Sequence, residues 1–121
     1  MTWILDSDRP IYTQLVERIQ MQIVSGMYPP GGKLPSVREL AAEAAVNPNT
    51  MQKAFAELER SGLIITQRTN GRNVTEDTEM INAIRMDIAR EHLNQFIEKM
   101  LELGFTKEQI IEFIEKAVQE G

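Results

Sequence analysis

Asn47, Asn49 and Thr50 surround Pro48 in the stretch AVNPNTMQKAFAEL, and Gln52 and Lys53 follow within the next helical turn. Short amide and hydroxyl side chains at a helix start can cap it. They can also reach phosphate oxygens or base edges without holding the backbone out of a major groove. Arg68 and Arg72 flank a tight Thr69-Asn70-Gly71 turn further along, adding positive charge at a second point. These groups suit binding to a polyanion. No reaction can be assembled from them: the chain has no cysteine, its one histidine, His92, has no second histidine or cysteine to share a metal, and no nucleophile and base pair or glycine-rich phosphate loop is present. Neither an enzyme nor a metal or cofactor site is expected. His92 falls on the Ile88 to Phe96 row of an apolar face and reads as a packed or interface residue, and Met80 and Met100 read as core filler.

The 121 residues suit a single domain with one modest core and an appendage, and the net charge of −5 argues against a polyanion partner only if charge is uniform. It is not uniform. Residues 1–75 carry eight Lys and Arg against seven Asp and Glu, residues 76–121 five against eleven, giving +1 and −6. An acidic tail behind a near-neutral head leaves the head free to meet DNA. The N-terminus has no basic region before an apolar run, and no apolar segment is long enough to cross a bilayer, so the expectation is a soluble, cytoplasmic protein without membrane contact.

Three helices and a hairpin are predicted to position the polar groups. Tyr12, Leu15, Val16, Ile19 and Ile23 recur at helical spacing after Pro10, which suits a first helical position, and Gly26 stops the run. MYPPGGKLP reads as a loop. Ser36 and Glu39 form a capping box for a short second helix, and Asn47 caps a third whose buried stripe is Met51, Ala54, Phe55 and Leu58. Gln52 and Lys53 lie away from that stripe. LIITQRTNGRNVT then reads as a β-hairpin with its tip at residues 68–71. The helical pattern returns at Thr78 and runs to Gly104, roughly 25 residues or nearly 40 Å. A second capping box, Thr106 with Gln109, opens the last helix.

Two short helices, a tight turn, a polar helix start and a basic-tipped hairpin form the layout of a winged helix-turn-helix. The segments PIYTQL, LPSVRELA, VNPNT and ELERSGLI, in this order and at this spacing, resemble the GntR family of bacterial transcription regulators over about residues 4–75. Taken alone, Arg38 is a solvated helix residue. The resemblance makes it the base-reading arginine of LPSVREL, makes Ser36 a phosphate contact beyond its capping role, and places Asn47, Asn49, Thr50, Gln52 and Lys53 on the exposed side of a recognition helix. The wing departs from the family pattern: Thr69 stands for a glycine, Arg72 for a threonine and Asn73 for an aromatic residue, while Gly71 and Val74 are kept. Arg68, Gly71 and Arg72 are its expected DNA contacts.

The tail LNQFIEKMLELGFTKEQIIEFIEKA resembles the two-helix dimerisation segment of the YtrA-type subfamily, with no room for the effector or aminotransferase-like domain of larger subfamilies. Its two helices carry more apolar face than so small a unit can bury alone. Ile88, Phe96, Ile97, Ile110, Phe113 and Ile114 are the expected dimer interface. The expected fold is mainly α with a small β-hairpin, a winged helix-turn-helix over residues 1–76 and a two-helix dimerisation segment over 77–121. The expected function is sequence-specific operator binding as a homodimer, most simply as a repressor; an inducer, if there is one, would act through the angle between heads. The competing reading is a protein-interaction module with a winged-helix scaffold and an acidic helical tail.

Overall fold

The computed structural model describes residues 3–67 and 71–121. Its elements run in the expected order: α1 (Ile11–Val24), α2 (Val37–Ala44), α3 (Pro48–Ser61), β1 (Ile64–Gln67), β2 (Gly71–Val74), α4 (Thr78–Glu102) and α5 (Lys107–Glu120). Pro10 is the N-cap of α1 rather than its first helical residue, because its extended ψ of 132° lies outside the helix. Leu15, Ile19 and Ile23 then repeat every four residues on the buried face of α1. They meet Leu40, Ala41 and Ala44 of α2, Met51, Ala54, Phe55 and Leu58 of α3, and Leu63, Ile64 and Val74 from the hairpin in one core. The segment before α1 is tied down by the buried Gln14: its Oε1 accepts from the Asp6 N–H at 2.7 Å, and its Nε2 donates to the Asp6 and Arg9 carbonyls at 2.7 and 3.1 Å.

The turn between α2 and α3 sets the angle of the polar helix start. Val46 N–H bonds the Ala41 carbonyl at 3.0 Å and Ala45 N–H the Ala42 carbonyl at 3.2 Å, the paired bonds of a Schellman cap. The left-handed residue that this cap needs is Ala45, at φ 59° and ψ 47°, where glycine is the usual choice. At the end of α3 the same geometry is carried by Gly62, at φ 89°. A Cβ in the left-handed region costs roughly 1–2 kcal/mol, and the extra unfolded-chain entropy of glycine costs about 0.5–1 kcal/mol. Ala45→Gly is therefore expected to stabilise the protein by about 0.5–1 kcal/mol, measured as a higher midpoint in urea unfolding with an unchanged slope.

β1 and β2 are antiparallel, with Ile64 opposite Val74 and Gln67 opposite Gly71. The Pro- and Gly-rich stretch before α2, expected to be a plain loop, pairs along the other edge of β2. Val74 N–H donates to the Gly32 carbonyl and Leu34 N–H to the Arg72 carbonyl, both at 2.9 Å, and Lys33 bridges Asn73. β2 is thus held on both sides, which removes the exposed edge that a two-stranded hairpin would leave.

The chain forms two compact units, Met1–Arg85 and Met86–Gly121. The division falls within α4, whose first turns complete the first unit. Ile81 is buried there, Met80 lies beside Gly62, and the Arg85 guanidinium donates to the Val24 carbonyl at 3.2 Å. In the second unit Gly104, at φ 96°, ends α4, and Thr106 and Gln109 form the expected capping box. Met100 and Ile110 are its buried residues, and Phe105 meets Phe113 edge to face with centroids 6.1 Å apart.

Candidate nucleic-acid interface

Two helix N-termini build the site, and they differ in what they leave open. At α3 the Asn47 side chain accepts from the Asn49 N–H at 2.8 Å, the Asn47 carbonyl accepts from Thr50 and Met51, and Pro48 has no N–H. The backbone donors of this turn are satisfied, so whatever it recognises must be met by side chains. Asn49, Gln52 and Lys53 are exposed, and Thr50 is half-buried. At α2 the capping box binds Glu39 N–H to Ser36 Oγ at 3.1 Å and Ser36 N–H to Glu39 Oε1 at 3.2 Å, and Leu40 N–H bonds the Ser36 carbonyl. The Val37 and Arg38 amides take no hydrogen bond among the described residues. An open amide pair at a helix start, next to the Ser36 hydroxyl, fits a phosphate oxygen.

Arg38, the second residue of α2, is exposed and makes no ion pair among the described residues. Its fork is therefore free to extend outward. Lys53 is held differently: its Nζ sits 3.9 Å from the centroid of the Tyr12 ring on α1, a cation–π contact that steadies the ammonium without neutralising it. Tyr12 was expected only as part of the core stripe. Nothing in the sequence marks it as the support for a lysine 41 positions later, since the two meet only once α1 and α3 have packed.

Of the expected wing residues the structure describes Gly71 and Arg72. Arg68 lies outside the described residues. Gly71 is exposed at φ 72°, but Arg72 turns back onto α3, where its Nε donates to Glu59 Oε1 at 2.5 Å and its guanidinium lies 5.3 Å from the Phe55 ring centroid. Between wing and α2 lies a depression of about 230 Å³ lined by Lys33, Leu34, Pro35, Ser36, Glu39, Gly71 and Arg72. Lys33, at its rim, is a basic residue that the motif reading passed over because it stood in a supposed loop.

The Arg72 hydrogen bond holds the Glu59 carboxyl below the usual carboxylate range; partial burial opposes this, and the Thr66 hydroxyl and the Arg72 charge support it. A carboxyl lowered in the folded state adds stability that is present above its ordinary value of 4.5 and is lost as pH falls through the folded value. Both side chains keep about a third or a quarter of their surface, 31% and 26%, so the gain is about 1 kcal/mol or less. Urea unfolding of the wild type and Glu59→Gln should therefore differ at pH 7, and the difference should shrink as pH falls below 4.5 through the folded value.

The family model described as bacterial regulatory proteins, gntR family, matches residues 11–74. The chain belongs to the GntR family. It is 38% identical over 112 residues to the HTH-type transcriptional repressor YtrA of Bacillus subtilis (strain 168), covering 91% of this chain and 85% of that one. A GntR family transcriptional regulator from Listeria monocytogenes superposes with a TM-score of 0.84 at 46% identity, covering 93% of this chain and 98% of the other. The DNA-binding domain of AraR, solved in complex with operator ORX1, superposes with a TM-score of 0.53 at 29% identity over 62% of this chain and 92% of its own. This regulator thus has the winged-helix DNA-binding domain of its family, followed by the short helical segment that it shares with YtrA. No helix among the described residues is long and apolar enough to cross a membrane.

In the unit Met86–Gly121 the expected dimer residues separate into two groups. Ile110 is buried within its own protomer at 3% exposure, and packs inside the helix pair. Phe96 and Phe113 are exposed, and Ile88, Ile97 and Ile114 are half-buried. Leu93, Leu101, Leu103, Ile111 and Val118 add exposed apolar surface that the sequence reading did not assign to an interface.

Proposed function

We propose that this GntR regulator is a repressor that binds a pseudo-palindromic operator as a homodimer in the cytoplasm. The observation that carries the reading is the open, cation-bearing surface at the starts of α2 and α3: Arg38, Asn49, Gln52 and Lys53 are all exposed, and the amides of Val37 and Arg38 take no hydrogen bond among the described residues. Asn47 and Ser36 hold the two starts in place, and Thr50 and Gly71 border them. Arg38 suits a base edge through its planar fork; Lys53 and Ser36 suit phosphate. The operator complex of the AraR domain supports double-stranded DNA as partner, and the name of YtrA supports repression. The exposed apolar residues of α4 and α5 support a second copy as cover, since two-fold symmetry in the protein matches two-fold symmetry in the site.

Selection of bound fragments from genomic DNA, followed by footprinting, tests the reading. Sites with two inverted half-sites are the expected outcome, and affinity should fall steeply with salt despite the net charge of −5, by a slope of about 0.9 per phosphate neutralised. Binding with no sequence preference and a flat salt response would instead favour the interaction-module reading.

A further inference from the structure

We infer that Arg72 is a positioning residue for operator binding and not a phosphate contact: with Glu59 and Phe55 it clamps the wing to the recognition helix. The inference rests on the operator-binding reading and gives one of its expected contacts a different role. Strand alternation decides where the side chain goes. Residues two apart on a strand share a face, so Arg72 lies on the same face of β2 as Val74, and Val74 is fully buried in the core. Arg72 is therefore turned inward, toward α3. Its register partner on β1, Thr66, lies on that face too.

Three elements meet at this residue. The Arg72 carbonyl accepts from Leu34 N–H at 2.9 Å on one edge of β2, the strand pairs with β1 on the other, and the side chain reaches α3 through the 2.5 Å bond to Glu59 and the 5.3 Å approach to the Phe55 ring. Phe55 is itself wholly buried, so the platform under the guanidinium is packed into the core. Transferring Arg72 to a phosphate would break the bond to Glu59 and leave an unpaired carboxylate on the recognition helix near a polyanion. Both terms oppose the transfer. The clamp instead pairs that carboxylate and makes wing and recognition helix a single rigid reader, so their contacts with DNA are made in one geometry.

The test uses the full chain and a duplex carrying the selected operator, with Arg72→Gln, Arg72→Lys, Glu59→Gln and the Glu59→Gln/Arg72→Gln double variant, each checked for folding by thermal unfolding. A clamp predicts that both glutamine variants weaken binding alike, by about fivefold per head, that the double variant is no weaker than either, and that the salt slope stays at the wild-type value. Arg72→Lys should fail to rescue, because an ammonium reproduces neither the Nε donor nor the planar stack. The inference is overturned if Arg72→Gln lowers the salt slope by about one unit per head, if Arg72→Lys restores affinity, or if Glu59→Gln strengthens binding. A DNA-free arm separates it from the operator reading: in a carboxyl NMR titration Glu59 should titrate higher in Arg72→Gln than in the wild type. An unchanged titration removes the clamp; wild-type protein that prefers no sequence removes the operator reading and, with it, the role assigned to the clamp.

Discussion

Phe96→Asp in the full chain is expected to give a monomer in light scattering and to lower operator affinity by about a hundredfold or more. Phe96 is 37% exposed on α4, so its own protomer leaves part of the ring uncovered and an aspartate there costs the helix pair less than it would at Ile110. In a two-fold interface the same position meets the same surface of the second copy, and two buried carboxylates without partners would cost several kcal/mol. Residues 76–121 already carry −6, which adds repulsion between copies. The loss of affinity follows from valency: joining two heads makes the second binding event intramolecular and gains 10²–10⁴ without any new contact, roughly the amount a monomer forfeits. Ile110→Asp would be an unsuitable probe, because Ile110 is 3% exposed inside its own helix pair and its replacement would unfold that pair. A Phe96→Asp protein that stays dimeric and binds as the wild type does would place the interface elsewhere.

The helices were legible because their signals are local. Four-residue apolar spacing in α1 and α3, and the Ser36/Glu39 and Thr106/Gln109 capping boxes, need no tertiary knowledge, and all appear where they were expected. What escaped was set by packing between distant segments. Residues 31–34 pair with β2 although proline and glycine mark them as a loop, because the pairing is specified by the edge they meet and not by their own propensity. The end of the first compact unit, at Arg85, is likewise set by packing. Helical periodicity runs unbroken from Thr78 to the end of α4, and only the burial of Ile81 and the bond from Arg85 to Val24 reveal that the start of α4 belongs with the head. A chain cut after Thr75 would lose both, so loss of DNA binding after that cut would not report on dimerisation.

Within the site, the residues on the exposed side of α3 were legible because helical phase fixes which side chains oppose Met51, Ala54, Phe55 and Leu58. The direction of Arg72 follows from the same kind of phase, since Val74 is apolar and two residues away. Tyr12 beneath Lys53 and Glu59 beside Arg72 carry no such signal. Each is an ordinary helix residue until its partner element is packed against it.

Arg38 and Lys53 should separate the two kinds of contact that a regulator makes with DNA. Arg38 has no intramolecular ion pair among the described residues, so Arg38→Ala is expected to leave stability within about 0.5 kcal/mol of the wild type. Its effect should fall on recognition. A planar fork can bond both O6 and N7 of guanine, and such a contact is worth about 1–3 kcal/mol of preference, roughly five- to 150-fold per half-site. Operator binding should weaken by that factor, and base preference should relax at one symmetric position. Lys53 is a point charge resting on the Tyr12 ring, suited to phosphate, where it adds affinity without reading sequence. Lys53→Ala should weaken all duplexes about equally and flatten the salt slope by roughly one unit per head. Both are measured by titrating each variant against operators substituted at every position, over a range of salt. If Arg38→Ala weakens every sequence alike and leaves base preference intact, Arg38 is an anchor, and the reading passes to Asn49, Thr50 and Gln52, whose short side chains on an amide-satisfied helix start are the remaining groups able to discriminate a base edge.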